Sequence, residues 1–421
     1  MKKTILSDFF TTVSFRQFIT SIHLILFRLP NLRYGKNIKI LEKQFLKYLN
    51  LKESKIVSVY NGRTALYQAL RIIWVNQKDE VIISGYTCIS VTNSVIQSWA
   101  KVIYSDIEGN TLWLDTKDLK KKITKNTKVI IIQHTFWKAS EIKKIIEIAE
   151  KNNILIIEDC AHCLWSKFKD KHLWSFGDFS IFSTGRDKVI SSVTGGFIIV
   201  NNKKYFNSIE SMRYNLIIPP RKKVIKDLNY NVFGYLSYKF YDFFSLWKVI
   251  IFITRKLDII NEILTTDEKN CDYLKLNYTL PNSLAILASK ELSNINLYST
   301  HRNLINSYYK NNIRNTLVKS IYKTINNEIN NGFRYPMLIK NKDLKNKLYC
   351  YMRKNNVLLW KSWSWDNIVP EWVNNSKANY RIWECQVAED ISYRILTLPN
   401  HKQISLKDAE KVVTLINNFQ K

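Results

Sequence analysis

Lys188 is the residue of this chain whose position most directly suggests chemistry. It lies in the stretch GDFSIFSTGRDKVISSVTGG (residues 177–196), between apolar strands predicted at 179–182 and 197–200. Loops at strand ends commonly carry the reactive groups of a sheet. A lysine amine can form a Schiff base with a carbonyl, and burial shifts such an amine towards its neutral, nucleophilic form. Alone this position proves little, because the chain has 64 Lys and Arg residues and a lysine near a strand end is most often solvated surface.

Two carboxylates follow a second apolar strand. Residues 153–162 read NILIIEDCAH, a continuous apolar run typical of a strand buried on both faces, which ends at Glu158 and Asp159. An Asp at this strand end can keep the pyridine nitrogen of pyridoxal phosphate (PLP) protonated through a charge-assisted hydrogen bond, which makes the ring an electron sink. His162 could pack on that ring or contact its phenolic oxygen. The alternative is that both carboxylates only cap a following helix.

A third segment could bind a phosphate group. Residues 58–70 read SVYNGRTALYQAL, a short strand that runs through Asn61, Gly62 and Arg63 into a helix predicted to begin near Ala65. Backbone N–H groups at a helix N-terminus bind anions, and glycine permits close approach. A plain Asn-Gly turn with a threonine cap is the alternative for an isolated match. Here the segment precedes the acidic strand end and the lysine loop in the order that a PLP fold requires.

Together the three segments resemble those of the DegT-type (DegT/DnrJ/StrS) sugar aminotransferases. The similarity extends over most of the chain and includes residues 34–50, 79–107, 129–153, 274–292 and 394–413. The resemblance implies an α/β protein of PLP fold type I, with a mostly parallel sheet flanked by helices and a smaller α/β domain at the C-terminus. It also implies amination of keto groups on nucleotide-linked sugars.

The family roles can be assigned to matching positions of this chain. By this resemblance Lys188 is the Schiff-base lysine, Asp159 is the partner of the pyridine nitrogen, and His162 lies against the cofactor. These assignments make Lys188 and Asp159 the predicted catalytic residues.

The resemblance also implies a set of phosphate contacts. Asn61, Gly62 and Arg63 form the phosphate loop, and Ser183 matches a phosphate-binding serine five residues before the lysine. Asn277 matches an asparagine that reaches the phosphate of the neighbouring subunit, which implies a homodimer with shared active sites.

The chain departs from the family pattern at several positions. Cys88 stands where the family usually places an aromatic residue that stacks on the cofactor ring, and Tyr86 or His162 could compensate. Thr184 and Thr194 replace more usual residues in the lysine loop, and Thr279 stands where many members have Arg. These changes concern the identity of the substrate more than cofactor binding.

The order of predicted elements is that of an α/β domain. Strands near Val81, Val102, Val129, Ile154, Phe179 and Phe197 alternate with helical stretches, which favours a mostly parallel sheet. We predict an atypical amphipathic segment at 1–33, a large domain at 34–290 with an insertion at about 213–271, and a small domain at 291–421. A chain of 421 residues can bury cores of that size.

The cysteines and the net charge bear on three properties: metal binding, cellular compartment and binding to nucleic acid. Cys160 and Cys163 form a CxxC pair around His162, but a zinc site normally needs a second pair of ligands, so we predict no metal. Scattered cysteines fit reduced thiols in the cytoplasm. The net charge of +29 is spread along the chain without a nucleic-acid motif, so we expect no nucleic-acid partner, although an anionic substrate would be attracted.

Two segments raise the question of membrane contact. Residues 9–29 and 231–260 mix aromatic, aliphatic and basic residues, as interfacial helices do, but neither holds about twenty uninterrupted apolar residues. Packing against the dimer or over the pocket is the alternative. We therefore expect a cytoplasmic protein, with peripheral contact at the inner membrane face as a hypothesis.

The predicted function is that of a PLP-dependent aminotransferase. By family resemblance, it transfers the amino group of glutamate to a nucleotide-linked ketosugar, in surface glycan or lipopolysaccharide biosynthesis. The principal alternative is a non-catalytic regulator or membrane-associated scaffold that keeps the fold. A sugar dehydratase of the same fold would carry His in place of Lys188, and binding to nucleic acid would rest on charge alone.

Overall fold

The computed structural model describes residues 3–7, 10–137, 142–168, 171–321, 328–361, 367–373 and 375–420. Of the Trp-rich stretch 360–372, to which the sequence assigns no role, residues 362–366 lie outside this range. The strands are β1 (Ile5–Leu6), β2 (Lys55–Val59), β3 (Glu80–Ser84), β4 (Lys101–Ser105), β5 (Thr127–Gln133), β6 (Leu155–Asp159), β7 (Lys167–Phe168), β8 (Lys171–His172), β9 (Phe179–Ser183), β10 (Gly196–Val200), β11 (Val318–Ser320), β12 (Glu328–Ile329), β13 (Tyr335–Ile339), β14 (Val357–Leu358) and β15 (Ile395–Leu398).

The α-helices surround these strands and join most of them. They are α1 (Phe15–Phe27), α2 (Asn37–Tyr48), α3 (Gly62–Ile72), α4 (Ile89–Gln97), α5 (Thr116–Lys122), α6 (Ile142–Lys151), α7 (Phe206–Asn215), α8 (Arg221–Lys239), α9 (Leu246–Lys256), α10 (Thr266–Lys269), α11 (Asn282–Leu292), α12 (Ile295–Asn312), α13 (Lys342–Lys354), α14 (Gln386–Arg394) and α15 (Leu406–Asn418).

The largest sheet has seven strands in the order β2-β10-β9-β6-β5-β3-β4. Neighbouring strands from β9 to β4 run parallel, and β10 is antiparallel to both of its neighbours. In β3, Val81 and Ile83 join one buried apolar cluster, whereas Ile82 joins another on the opposite face. Helices thus cover both faces, which explains the continuous apolar runs of the sequence. The predicted α/β fold with a mostly parallel sheet is confirmed.

The C-terminal part of the chain has a buried apolar cluster of its own. That cluster includes residues from Ile305 to Phe419, and β13 pairs with β11 and β15 in an antiparallel sheet. Ile5 also belongs to this cluster, because β1 pairs in parallel with β14. The segment 1–33 is therefore attached to the C-terminal part, where Lys3 also pairs with Asp408 and Gln403 Nε2 donates to the Val13 carbonyl over 2.6 Å. The domain boundaries given above stay a prediction.

Helix α1 packs on α8, which in turn packs on α9, within the predicted insertion. The rings of Phe18 and Tyr235 lie 4.9 Å apart, and Asn231 Nδ2 donates to Ser21 Oγ over 3.0 Å. Gly234 permits the close approach of the N-terminal segment, because a Cβ there would lie 2.4 Å from Cδ1 of Phe10. Helix α1, which the sequence separates from α8 by some two hundred residues, and the neighbouring helix α9 therefore both pack on α8.

The same N-terminal segment contacts the loop that carries Lys188. Gln17 Nε2, on the buried face of α1, donates to the carbonyl oxygen of Ser191 over 2.7 Å. Val13, just before α1, packs in a small apolar cluster with Val193. Nothing in the sequence indicated that residues near position 15 lie beside the lysine loop.

Candidate active site

Asp159 is the last residue of β6, and its side chain is buried at the carboxyl end of the parallel strands. One carboxylate oxygen, Oδ1, accepts a hydrogen bond from Ala161 N over 3.0 Å. Burial raises the pKa of Asp159, although this hydrogen bond and the charges of Lys188 and His134 oppose the shift. A buried carboxyl group with a raised pKa at a strand end is well suited to a cationic partner.

Glu158, the neighbouring carboxylate, has a different role. It is fully buried, and its Oε1 accepts hydrogen bonds from Phe176 N at 2.8 Å and Gly177 N at 2.7 Å. Its Oε2 lies 2.9 Å from His134 Nε2. Glu158 therefore fixes the segment beyond β8 rather than the pocket. A turn, not a helix, follows Asp159, so neither carboxylate caps a helix there.

Lys188 and His162 meet in the pocket. Lys188 Nζ lies 3.2 Å from His162 Nε2. The imidazole stacks on Phe136, with ring centroids 6.0 Å apart, and lies 4.8 Å from the ring of Phe333. Burial, together with the charges of Lys188 and Arg334, holds the pKa of His162 well below its usual range, so the ring is neutral near pH 7. A neutral imidazole can accept a hydrogen bond from the lysine ammonium.

The lysine loop is closed on itself by its threonine and serine residues. Thr184 Oγ1 and Ser192 Oγ lie 2.7 Å apart, and Ser192 N donates to the Thr184 carbonyl over 3.0 Å. Thr194 Oγ1 donates to the Tyr60 carbonyl over 2.7 Å, which ties the loop to the end of β2. Thr184 and Thr194, which depart from the family pattern, thus hold the loop that carries Lys188 in place.

The predicted phosphate loop begins α3. Asn61 is the N-cap, and its Oδ1 accepts from Thr64 N over 2.8 Å. The helix begins at Gly62, three residues earlier than predicted, so the N–H groups of Gly62 and Arg63 lie in the first turn, where no intrahelical acceptor exists. A Cβ on Gly62 would lie 3.1 Å from Cβ of Ser183. Asn61, Gly62 and Ser183 are thus brought together as predicted.

The side chain of Arg63 points away from this loop. Its guanidinium forms an ion pair with Glu268 of α10, and Nη2 donates to the Ile263 carbonyl over 3.3 Å. Burial lowers the pKa of Arg63. Only the backbone N–H of Arg63 therefore remains for an anion. The side chain instead fastens the insertion to the phosphate loop.

We expect Glu268→Ala to lower the free energy of unfolding by roughly 2–4 kcal/mol, because it leaves a mostly buried guanidinium unpaired. Urea denaturation monitored by circular dichroism measures this loss. Glu53→Ala is the matched control, because Glu53 pairs with Lys203 in solvent and should contribute little. Equal midpoints for the two variants would contradict a structural role of the Arg63–Glu268 pair.

Asn277 lies beside the end of β2 in its own chain. Its carbonyl accepts from Ile217 N over 2.9 Å, and the next residue, Tyr278, accepts from Tyr60 N over 3.0 Å. Its side-chain Oδ1 is buried without a hydrogen-bond partner among the described residues. Because the oxygen and nitrogen of an amide can be exchanged by rotation, this end of Asn277 is available to a ligand. Its predicted contact with a neighbouring subunit stays a prediction.

Cys88 does not offer a ring to the pocket. It is the N-cap of α4, and its Sγ lies 3.5 Å from Ser90 Oγ. Tyr86 is buried and meets Phe136 edge-on, with centroids 6.3 Å apart. Phe136 in turn stacks on His162. An aromatic wall therefore exists, but it is built from the end of β5 and not from position 88.

Arg334 is a site residue that the sequence analysis missed. It is buried, its guanidinium lies 4.4 Å from the ring centroid of Trp360, and Nη2 lies 3.8 Å from Oδ2 of Asp187. Asp187 is the neighbour of Lys188 in the chain, and the charge of Arg334 contributes to the low pKa of His162. In the sequence it is one arginine among many, far from every motif, so no local signal indicated it.

The residues present fit PLP. A lysine amine, a buried carboxyl group and a helix N-terminus with Gly62 and Ser183 supply the three kinds of group that this cofactor needs. The buried, unpartnered amide end of Asn277 adds a further polar contact. Among the described residues, His134, Cys160 and Cys163 form a buried cluster able to hold a metal ion, on the side of β6 occupied by Glu158.

The fold and the site together define an α/β protein of the PLP-dependent aminotransferase type. The sequence model of the DegT/DnrJ/EryC1/StrS aminotransferase family matches residues 27–242 and 259–417, and the chain belongs to this family. The resemblance stated from the motifs is confirmed.

Curated relatives and solved structures agree with this assignment. The chain is 33% identical to GDP-perosamine synthase of Vibrio cholerae over 168 residues, which are 40% of this chain and 45% of that protein. It is 28% identical to the spore coat polysaccharide biosynthesis protein SpsC of Bacillus subtilis over 175 residues, 42% of this chain and 44% of that protein. These matches span about half the length of the curated relatives.

Likeness in structure extends over nearly the whole chain. The putative sugar aminotransferase Spr1654 from Streptococcus pneumoniae, in its PLP form, has a TM-score of 0.73 at 17% identity, covering 99% of this chain and 97% of the other. Helicobacter pylori PseC, an aminotransferase of pseudoaminic acid biosynthesis, has a TM-score of 0.73 at 16% identity, covering 99% and 98%. At such identities the likeness shows a shared fold.

Proposed function

We propose that the protein is a PLP-dependent aminotransferase that converts a nucleotide-linked ketosugar to an amino sugar, with glutamate as donor, in the biosynthesis of surface glycans or lipopolysaccharide. The observation that carries this proposal is the Lys188 amine, which lies 3.2 Å from Nε2 of a neutral His162 in the loop that follows buried Asp159. Family membership and the names of the relatives support the reaction class.

The chain's own residues divide the work. Lys188 would hold the cofactor at its carbonyl carbon, and its free amine would move a proton at the α-carbon of the donor. Asp159 would keep a proton on the pyridine nitrogen, and Asn61, Gly62, Arg63 N–H and Ser183 would hold the phosphate group. PLP itself supplies the electron-poor ring that takes up the electron pair released at that carbon.

His162 positions the lysine in this scheme. Its Nε2 lies within hydrogen-bond distance of Lys188 Nζ, and its ring is held between Phe136 and Phe333. Because the imidazole is neutral, it can accept from the ammonium form of Lys188 without repelling it. The Lys188 amine is thus aimed by a ring that the surrounding aromatic residues keep in place.

Arg334 is assigned here to the carboxylate of the amino donor. A guanidinium binds carboxylates through two parallel hydrogen bonds, and this one lies beside Asp187, the neighbour of Lys188.

We expect Arg334→Gln to raise KM for glutamate by about 10- to 100-fold, with kcat less affected. Steady-state kinetics at varied glutamate checks this. Arg334→Lys is the matched control, and its KM for glutamate should lie between those of the wild type and Arg334→Gln. An unchanged KM in Arg334→Gln would exclude binding of the donor carboxylate by Arg334.

A homodimer with shared active sites is part of the proposal. It is supported by the resemblance at Asn277 and by the buried amide end of that side chain, which has no partner among the described residues. Sedimentation at several protein concentrations tests the dimer, and Asn277→Ala should weaken cofactor retention in the dimer. No partner of nucleic-acid type is proposed.

A cytoplasmic location at the inner membrane face completes the proposal. Within the described part of the chain, no helix has the length and apolar character needed to cross a bilayer.

The visible absorption spectrum, recorded before and after addition of glutamate, tests the proposed chemistry. A cofactor band that bleaches with glutamate and returns with a ketosugar nucleotide would support the whole assignment. A colourless protein that takes up no added PLP would overturn it and leave the non-catalytic alternative, which the joint presence of Lys188, Asp159 and the phosphate loop does not favour.

A further inference from the structure

Apart from the last four residues, two segments lie outside the match to the family model, and the structure packs both against α8. The match omits residues 1–26 and 243–258. The first contains most of α1 and the second contains α9, and both helices pack on α8. Two separate additions that pack on one helix call for an explanation beyond the fold that the family shares.

Helix α1 buries a mostly polar side and exposes apolar residues, the reverse of the usual arrangement. Its buried residues are Gln17, Thr20, Ser21 and Leu24, so three of the four are polar. Phe15, Ile19, Leu26 and Phe27 are exposed, the last at 71%. A helix of a water-soluble domain normally buries its apolar stripe and exposes its polar face.

Helix α9 and the turn before it repeat this reversal. Thr254 is the one residue of α9 that is buried. Val249, Phe252 and Ile253 are exposed and, at spacings of three and four, lie on one side of the helix. Phe244 in the preceding turn is 83% exposed. We call the exposed apolar residues the apolar face: Phe15, Ile19, Leu26, Phe27, Phe243, Phe244, Val249, Phe252, Ile253 and Leu257.

The charges within the two segments that carry the apolar face are all positive. Two acidic residues border the second segment: Asp242 accepts a hydrogen bond from Thr4 N, and Asp258 pairs with Lys226. Residues 10–31 and 243–257 contain no Asp or Glu. They do contain five basic residues, all exposed: Arg16, Arg28, Lys248, Arg255 and Lys256. If this face met the same face of a second copy, the five basic residues would lie against the same five, whereas an anionic bilayer would neutralise them.

We propose that the apolar face docks on an anionic lipid bilayer, with α1 and α9 lying in the headgroup region. Aromatic and aliphatic side chains enter the acyl boundary, and the five basic side chains contact lipid phosphates. This docking goes beyond the aminotransferase activity and does not depend on it, because none of the residues involved belongs to the active site.

Vesicle flotation of the full chain, loaded with PLP, tests this proposal. We expect binding to vesicles of phosphatidylglycerol and phosphatidylcholine at low salt, and at least tenfold weaker partition onto pure phosphatidylcholine. The double variant Phe244→Ser, Phe252→Ser should lose at least tenfold in partition. Its matched control is Tyr273→Ser, Leu297→Ser, which removes two side chains that are 82% and 66% exposed but lie outside both segments.

A separate variant tests how much the basic residues contribute to vesicle binding. Lys248→Gln, Arg255→Gln, Lys256→Gln should abolish the preference for phosphatidylglycerol and most of the salt dependence. The spectral response to glutamate should stay unchanged in all variants, so failure of docking is distinguishable from failure of the proposed activity. The proposal is overturned if the wild type does not float at low salt, or if the Phe244, Phe252 variant floats as well as its control. A change of oligomeric state in that variant, without vesicle binding by the wild type, would make the face a protein contact instead.

Discussion

Lys188→Ala should abolish turnover while leaving part of the PLP affinity intact. The substitution removes the amine that holds the cofactor covalently and moves the proton, and general acid–base catalysis alone contributes about 10²- to 10⁴-fold to the rate. Asn61, Gly62 and Ser183, the residues proposed to hold the phosphate group, lie on other elements and are untouched. We therefore expect loss of more than about 10⁴-fold in the single-turnover rate with glutamate.

Rapid mixing of the loaded variant with glutamate measures this rate, and equilibrium dialysis measures the remaining PLP affinity. Lys204→Ala, which truncates an exposed lysine on the 3₁₀ turn before α7, should behave like the wild type in both assays. Full transaminase activity in Lys188→Ala would show that the assignment of the lysine is wrong.

Asp159→Asn should lower kcat by about 10³-fold without lowering the stability of the cofactor-free protein. Asparagine is nearly isosteric and can still accept from Ala161 N, but it carries no charge to hold a proton on the pyridine nitrogen. The stability is expected to stay unchanged because proton binding is linked to folding. Burial raises the pKa of Asp159, so the folded state binds this proton more tightly than the unfolded state, and ionisation above the usual carboxyl range costs stability.

Glu158 supplies the matched control for this prediction. Its carboxylate accepts hydrogen bonds from Phe176 N and Gly177 N and contacts His134. Glu158→Ala should therefore lose roughly 1–3 kcal/mol in urea denaturation, because buried donors lose their acceptor. We therefore expect Asp159→Asn to lower kcat and keep the stability, and Glu158→Ala to lower the free energy of unfolding. A loss of stability in Asp159→Asn as large as in Glu158→Ala would refute the division of roles.

The elements that the sequence predicted correctly around the candidate site are those with local signals, whereas the roles of the site residues stay predictions. The apolar run before Asp159 and the Asn-Gly turn before α3 depend on neighbouring residues only, and the structure places both segments as expected. The continuous apolar strands likewise predicted a sheet covered on both faces.

The parts that escaped prediction depend on contacts between distant segments. Arg334 and Trp360 come from the C-terminal part, and no periodicity connects them with Lys188. The side chain of Arg63 could have pointed into the phosphate loop, and the ion pair with Glu268 decides otherwise. The mixed composition of the two added segments was visible in the sequence, but which side of α1 faces outward depends on its packing against α8 and the lysine loop.

The position of α1 between the lysine loop and the outer surface has a thermodynamic consequence. One side of this helix donates to Ser191 through Gln17, and the other side presents Phe15 and Leu26 to the surroundings. If this hydrogen bond makes the lysine loop move with α1, a ligand that binds one arrangement of α1 more tightly also shifts the loop. By reciprocity, filling the pocket with cofactor then changes the affinity of the outer side for that ligand by the same factor. Lipid affinity measured with and without PLP would give this coupling free energy directly.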